Sequence, residues 1–127
     1  MISPITRSRA EEMLARIKRF ATAATKKQMQ EKFGICTDKA VGTTVTTLRA
    51  LVKGLPRPDQ DLAEALWQSG IHEARIMASM LADPEQMTRE KLDNWASELN
   101  SWDICDLCCG NLFSKVKNPL KLAERWI

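Results

Sequence analysis

An indole and two carboxylates lie close together near the C-terminal end of the chain. Trp102, Asp103 and Asp106 occupy the first turn or so of one predicted helix. The four-residue spacing places Trp102 and Asp106 on the same helix face, about 40° apart, so the two side chains can line one cleft. A structural role is also open, because carboxylates near a helix N-terminus oppose the helix dipole by about 0.3–1 kcal/mol each.

Three of the four cysteines fall within the same predicted helix, at Cys105, Cys108 and Cys109. A structural zinc site needs four ligands around loops or turns, and the only remote candidates are Cys36 and the lone His72. A thioredoxin-like redox pair needs a preceding strand, which the sequence does not predict. The sequence therefore predicts reduced, buried and inert thiols, with no metal ion and no other cofactor.

A second polar group surrounds the predicted helix turn at Gly70. It consists of Trp67, His72, Glu73 and Arg75, and three of these side chains are polar enough to bind a partner. Alternatively, an ion pair between Glu73 and Arg75, together with a partly buried Trp67, would hold two helices at a fixed angle. The sequence contains no glycine-rich phosphate loop, zinc-protease motif or Ser/His/Asp arrangement.

The charge of the chain is divided unevenly about Arg57. Residues 1–57 carry twelve Lys and Arg against four Asp and Glu, for a net charge of +8. Residues 58–127 carry seven against twelve, for a net charge of −5. Because phosphate contacts supply most of the sequence-independent affinity for DNA, the basic N-terminal half is expected to attract a polyanion. A solvated helix face that binds nothing would show the same composition.

Helices must position all of these side chains, since apolar residues recur with a period near 3.6 along the whole chain and no segment predicts a strand. Glycine, proline and capping residues divide the chain into segments. The predicted helices cover about 8–23, with a start as early as Pro4, then 26–33, 43–52, 59–70, 71–81, 84–99, 102–113 and 119–127. The clearest break is Gly54-Leu55-Pro56-Arg57-Pro58, and it separates helices rather than domains.

Short connections between these helices predict antiparallel neighbours, and therefore a single all-α domain over residues 1–127 built from stacked helix pairs. The end at Trp126-Ile127 is apolar and uncapped, so we expect the N-terminal part of a longer solenoid. The sequence has no apolar run long enough to span a bilayer and no signal peptide. We therefore expect a soluble cytoplasmic protein without a membrane partner.

Four short motifs, in a set order, carry a resemblance to a known family. They are Val41-Gly42-x-x-Val45-x-x-Leu48-Arg49, Leu66-Trp67, His72-Glu73-x-Arg75 and Trp102-Asp103-x-x-Asp106. Over about residues 28–127 the chain resembles the AlkD-like DNA alkylation repair family. The resemblance implies a HEAT-like α-solenoid whose basic concave face holds duplex DNA. It also implies a DNA glycosylase that excises cationic alkylated purines, without a metal and without flipping the base.

The resemblance also implies roles for individual residues. Asp106 would be the catalytic carboxylate, and Trp102 would lie against the lesion nucleotide. Phe33 stands near the place of a family tyrosine that borders the DNA, since this chain has no tyrosine. The other residues expected to contact DNA or the lesion are Asp103, Trp67, Arg49, Lys26, Lys27 and Lys53. Family members carry an arginine and a further tryptophan in helices beyond those predicted here.

The chemistry that the resemblance implies requires few functional groups from the protein. An N3- or N7-alkylpurine already carries a positive charge and leaves readily, so an ionised carboxylate need only stabilise the developing oxocarbenium sugar and orient water. Two other functions stay open: a non-catalytic scaffold that binds duplex DNA through the basic half, and a solenoid that binds other proteins. For a DNA-binding protein of this kind, the bacterial cytosol or nucleoid is the expected location.

Overall fold

Eight α-helices make up most of the part of the chain that the structure describes. The structure is a computed structural model, and it describes residues 2–35 and 39–126. Within these ranges no strand occurs, as the sequence predicts, and each helix is too short or too polar to traverse a lipid bilayer. The helices are α1 (Pro4–Arg19), α2 (Ala23–Glu31), α3 (Val45–Lys53), α4 (Gln60–Gln68), α5 (His72–Leu81), α6 (Arg89–Ser97), α7 (Trp102–Asn111) and α8 (Pro119–Trp126).

Threonine side chains explain where several helices begin. The hydroxyls of Thr22, Thr44 and Thr88 each accept a hydrogen bond from the backbone N–H three residues later, at the starts of α2, α3 and α6. Because Thr22 caps a new helix, α1 ends at Arg19 and its predicted extension to residue 23 is wrong. The predicted start of α6 at Pro84 is also wrong, since residues 84–86 form a 3-10 turn instead.

Two layers of helices stack against each other. In one layer α1 contacts α4, and α4 adjoins α6 through the stacked rings of Trp67 and Trp95. In the other layer α5 lies between α3 and α7 and contacts both. The layers are joined chiefly by α4 and α5, which form an antiparallel pair around the turn at Gly70, where φ is +75°. The predicted architecture of stacked antiparallel helix pairs is confirmed.

Helix α5 is the centre of the core. Eight of its ten residues are buried, because α3, α4 and α7 cover three of its sides. Apolar side chains with almost no exposure, such as Ile76, Met77 and Leu81, face these neighbours. Besides the hydroxyl of Ser79, the same helix also buries two titratable side chains, those of His72 and Glu73. Buried polar groups need hydrogen-bond partners, so these two residues show how the layers are fixed together.

The carboxylate of Glu73 anchors the loop that leads into α3. It accepts hydrogen bonds from the backbone N–H groups of Val41 (3.0 Å), Gly42 (2.8 Å) and Thr43 (3.0 Å). Gly42 has a φ of +99°, and a Cβ atom there would lie 2.5 Å from the backbone oxygen of Thr22, so only glycine fits. The predicted ion pair between Glu73 and residue 75 is therefore wrong, because the Glu73 carboxylate is turned toward this loop.

Candidate nucleic-acid interface

Two cavities open along one face of α5. His72 and Ile76 line the first cavity, of about 260 Å³, and Met80 lines the second, of about 370 Å³. The four-residue spacing places these three side chains on the same side of the helix. Helix α3 and helix α7 supply walls to both cavities. The two cavities therefore follow the same side of α5, and we call them together the α5 groove, with one cavity at each end.

The first cavity forms an aromatic end of the α5 groove. Phe33 and Trp102 line it, and these two residues stay 46% and 53% exposed. The indole Nε1 of Trp102 donates a hydrogen bond to the backbone oxygen of Phe33, at 2.6 Å. This bond holds the ring in place while its faces remain accessible. An accessible, oriented aromatic ring can stack on a nucleobase, because every base presents a π-face.

A buried pair behind the aromatic end ties α5 to α7. His72 Nε2 lies 2.7 Å from Asp103 Oδ2, and both side chains are largely buried. Within the described residues, His72 Nδ1 and Asp103 Oδ1 make no hydrogen bond. The expectation that Asp103 contacts DNA is corrected for its carboxylate, because that group pairs with His72, although the residue lines the first cavity. Asp103 instead positions the first turn of α7, which carries Trp102.

Asp106 lies on α7 one helical turn after Trp102 and is exposed. The four-residue spacing places it on the same face of α7 as the indole. It lines neither cavity of the α5 groove, and its exposure leaves the carboxylate open to solvent. The carboxylate is therefore accessible to a ligand whose flat part lies against Trp102.

The second cavity forms a basic end of the α5 groove. Arg49, Lys53, Arg57 and Lys115 line it, and no carboxylate is present among its described lining residues. Arg49 and Lys53, one turn apart on α3, both line this cavity, and their contact with DNA stays a prediction. Lys26 and Lys27 are exposed on α2, and they line neither end of the groove. A cluster of cations without nearby acids attracts phosphate.

Comparison with known proteins agrees with this architecture. The sequence profile of a family described as DNA alkylation repair enzyme matches residues 13–127 of the chain. The chain belongs to this DNA alkylation repair family. No curated protein matches the sequence. The recognition made from the four motifs is therefore confirmed at the level of the family.

A solved structure shares the fold of this DNA alkylation repair family member. It is described as "a new family of proteins related to the HEAT-like repeat DNA glycosylases with affinity for branched DNA structures". The TM-score is 0.79 at 21% sequence identity, and the match covers 92% of this chain. The same match covers 48% of the solved chain, so the present chain spans about half the length of that relative. The predicted HEAT-like α-solenoid is confirmed.

The expected contact between Trp67 and DNA is wrong. Only 3% of Trp67 is exposed, because its ring stacks on Trp95 with centroids 4.1 Å apart. Its Nε1 donates to Glu98 at 2.9 Å, and Arg75 lies over the ring while pairing with the same carboxylate at 2.6 Å. Both faces of the Trp67 indole are thus covered by other side chains of this protein. The alternative, in which Trp67 and Arg75 hold helices together, describes the structure better.

The cysteines of α7 differ from one another. Cys108 is fully buried, as predicted, and burial raises the pKa of its thiol to about 12. Cys109 is exposed, so the prediction of a buried thiol is wrong there, although partial burial still raises its pKa. Among the described residues, no three His, Cys, Asp or Glu side chains lie close enough to hold a metal ion, and Cys36 lies outside those residues. A site without metal remains a prediction.

Lys115 was missed because charge was counted by halves of the chain. It belongs to the half with a net charge of −5, yet it lies in the 3-10 turn after α7 and lines the basic end together with Arg57. A local signal was available in the sequence, since Lys115, Lys117 and Lys121 follow one another with no acidic residue between them. Local charge density predicts phosphate contacts better than the balance of a whole half.

Proposed function

We propose that this protein is a DNA glycosylase that binds duplex DNA along the α5 groove and removes cationic N3- or N7-alkylpurines. One observation supports this proposal more strongly than any other. An exposed, hydrogen-bonded indole, Trp102, has an exposed carboxylate, Asp106, one turn away on the same helix. A basic cluster stands at the other end of the same groove. The groove thus combines a stacking surface with phosphate-binding cations, and an anionic group lies one helical turn from the stacking surface on α7.

The basic end would hold the DNA backbone. Arg49, Lys53, Arg57 and Lys115 give the groove four positive charges, and phosphate contacts of this kind provide affinity without reading sequence. Phosphates held at this end would leave the neighbouring nucleotides to pass the aromatic end. Trp102 would then lie against the lesion nucleotide, with Phe33 beside it.

Asp106 would act on the sugar of that nucleotide. The bond between C1′ and the purine nitrogen breaks, and its electron pair leaves with the base and cancels the base's positive charge. The oxocarbenium sugar that remains is stabilised by the negative carboxylate of Asp106. The oxygen of a water molecule then bonds to C1′, and Asp106 accepts a proton from that water. A leaving-group acid is unnecessary, because the alkylated base departs as a neutral molecule.

Release of bases from methylated duplex DNA tests this function. The full-length protein is incubated with duplex DNA treated with a methylating agent, and the supernatant is analysed by mass spectrometry. We expect free 3-methyladenine or 7-methylguanine to accumulate with enzyme concentration, together with abasic sites in the DNA. If neither base is released above the rate of the protein-free control, the protein is not an alkylpurine glycosylase.

A second function, DNA binding without excision, is favoured by the structural relative. That protein is described as related to the glycosylases and as having affinity for branched DNA. A scaffold of this kind would show salt-sensitive binding to duplexes or junctions that survives Asp106→Asn, and it would form no abasic sites. A solenoid that binds only proteins is less well supported, because Arg49 and Lys53 meet Arg57 and Lys115 in one cluster, although Lys26 and Lys27 lie outside it.

A further inference from the structure

A second groove shares Lys115 with the α5 groove. It has a volume of about 720 Å³ and runs between the 3-10 turn at residues 84–86, α6 and α8. We call it the α8 groove. Five cations line it, and Glu85 is the one acidic residue among its described lining residues. The cations are Arg89, Lys115, Lys117, Lys121 and Arg125.

Three of these cations have no ion-pair partner in the described part of the chain and can meet an external anion. Arg125 is paired with Asp93, and Trp126 donates a further hydrogen bond to the same carboxylate at 2.9 Å. Arg89 also acts electrostatically on Asp93. Lys115, Lys117 and Lys121 are exposed and form no ion pair within the described residues. A group of unpaired lysines along a groove produces a local positive potential.

The floor of the α8 groove gives these lysines a rigid base. Met87, Leu92, Val116 and Leu122 line the groove and are buried. They belong to α6, α8 and the segments beside them, so the floor is part of the hydrophobic core. The groove is therefore a feature of the packed fold and not of a loop alone. Lysine stems can lie along such an apolar floor while the ammonium groups stay in water.

Lys115 connects the two grooves, because it lines both the basic end of the α5 groove and the α8 groove. A polyanion that leaves the basic end past Arg57 and Lys115 therefore meets Lys117 and Lys121 next. An acidic protein segment would also be attracted to the α8 groove. DNA is favoured because the positive surface is continuous with the groove already assigned to its backbone.

We propose that the α8 groove binds the sugar–phosphate backbone of DNA beyond the segment held in the α5 groove. The proposal rests on the DNA binding in the proposed function, and it does not depend on catalysis by Asp106. The ligand class is nucleic-acid phosphate, contacted by Lys117 and Lys121 without base specificity. The protein then binds two segments of the DNA backbone that meet at Lys115. The length of DNA that it contacts is therefore greater than the α5 groove alone could cover.

Binding by a charge-neutralised variant tests this site. Lys117→Gln and Lys121→Gln are combined in the full-length protein, and binding is measured by fluorescence anisotropy at several salt concentrations. One labelled duplex has about one helical turn and the other about three, and junction DNA is measured alongside. The matched control combines Arg16→Gln and Lys18→Gln, which remove two exposed charges from α1, outside both grooves.

On the long duplex we expect the Lys117/Lys121 variant to bind at least about fivefold more weakly, with a salt slope smaller in magnitude by about 2. The short duplex should be bound almost as well as by the wild-type protein, and the control variant should resemble the wild type on both. If the wild-type protein binds the long duplex but the Lys117/Lys121 variant keeps its affinity and salt slope, the α8 groove does not bind DNA. No binding of any DNA by the wild-type protein would instead contradict the proposed function itself.

Discussion

Replacing Asp106 with asparagine is expected to lower base excision by at least roughly tenfold while leaving DNA binding nearly intact. Asp106 is exposed and forms no ion pair within the described residues, so the substitution should hardly change the melting temperature. Binding depends on the basic end of the α5 groove, which the substitution does not alter. Loss of a negative charge that faces phosphate can even raise the affinity slightly. Single-turnover excision and anisotropy on the same methylated duplex measure the two effects.

Asp61→Asn is the matched control for this prediction. Asp61 is also an exposed carboxylate in the first two turns of a helix, but it lies on α4 in the other layer. It should leave excision unchanged. Asp103→Asn is a different case, because it disturbs the buried contact with His72 and should lower stability and excision together. A loss of excision in Asp106→Asn that only follows a loss of stability would show that the carboxylate is structural.

Replacing Glu73 with alanine is expected to lower the free energy of unfolding by roughly 3–5 kcal/mol. The substitution removes three hydrogen bonds to the loop at residues 41–43 and leaves the buried backbone N–H groups of Gly42 and Thr43 without acceptors. Burial intensifies the effect, since Glu73 has 0% exposure. Urea unfolding followed by circular dichroism measures the change.

Glu64→Ala provides the comparison for Glu73. Glu64 pairs with Lys91 at 3.0 Å in a partly exposed position, and such pairs contribute at most about 1 kcal/mol. Glu73→Gln keeps one acceptor oxygen and should fall between the two alanine variants. A cost below about 1 kcal/mol for Glu73→Ala would mean that the loop is held by other contacts, and that Glu73 does not organise the start of α3.

The helices could be predicted from the sequence because their apolar period and their caps are local. Asp59 was expected to begin α4, and its side chain accepts the N–H of Leu62. The predicted helix boundaries were wrong where two local sequence signals favoured different structures. Thr22 caps the start of α2, so α1 ends before it, although the apolar pattern continues to residue 23. Pro84 is compatible with both a helix start and a 3-10 turn. Because Thr88 caps α6, the helix begins after it and residues 84–86 form the turn.

The candidate site could be predicted only where its residues share one helix. Trp102 with Asp106, and Arg49 with Lys53, are four residues apart, so one helix face brings each pair together. The partners that lie on other helices follow from packing and carry no local signal. Examples are the stacking of Trp67 on a ring of α6, and the contact of Asp103 with a side chain of α5. Sequence reasoning assigned both of these residues to DNA, because burial was not visible in their spacing.

Lysine footprinting on a DNA complex tests most directly whether DNA lies in the α5 groove. The full-length protein is acetylated briefly with and without a saturating duplex, and modification at each lysine is quantified by mass spectrometry. We expect Lys53 and Lys115 to be protected several-fold in the complex, because both line the basic end. Lys18, which is exposed on α1 in the other layer, should react equally in both samples. Protection of Lys18 with unchanged reactivity of Lys53 and Lys115 would contradict the account.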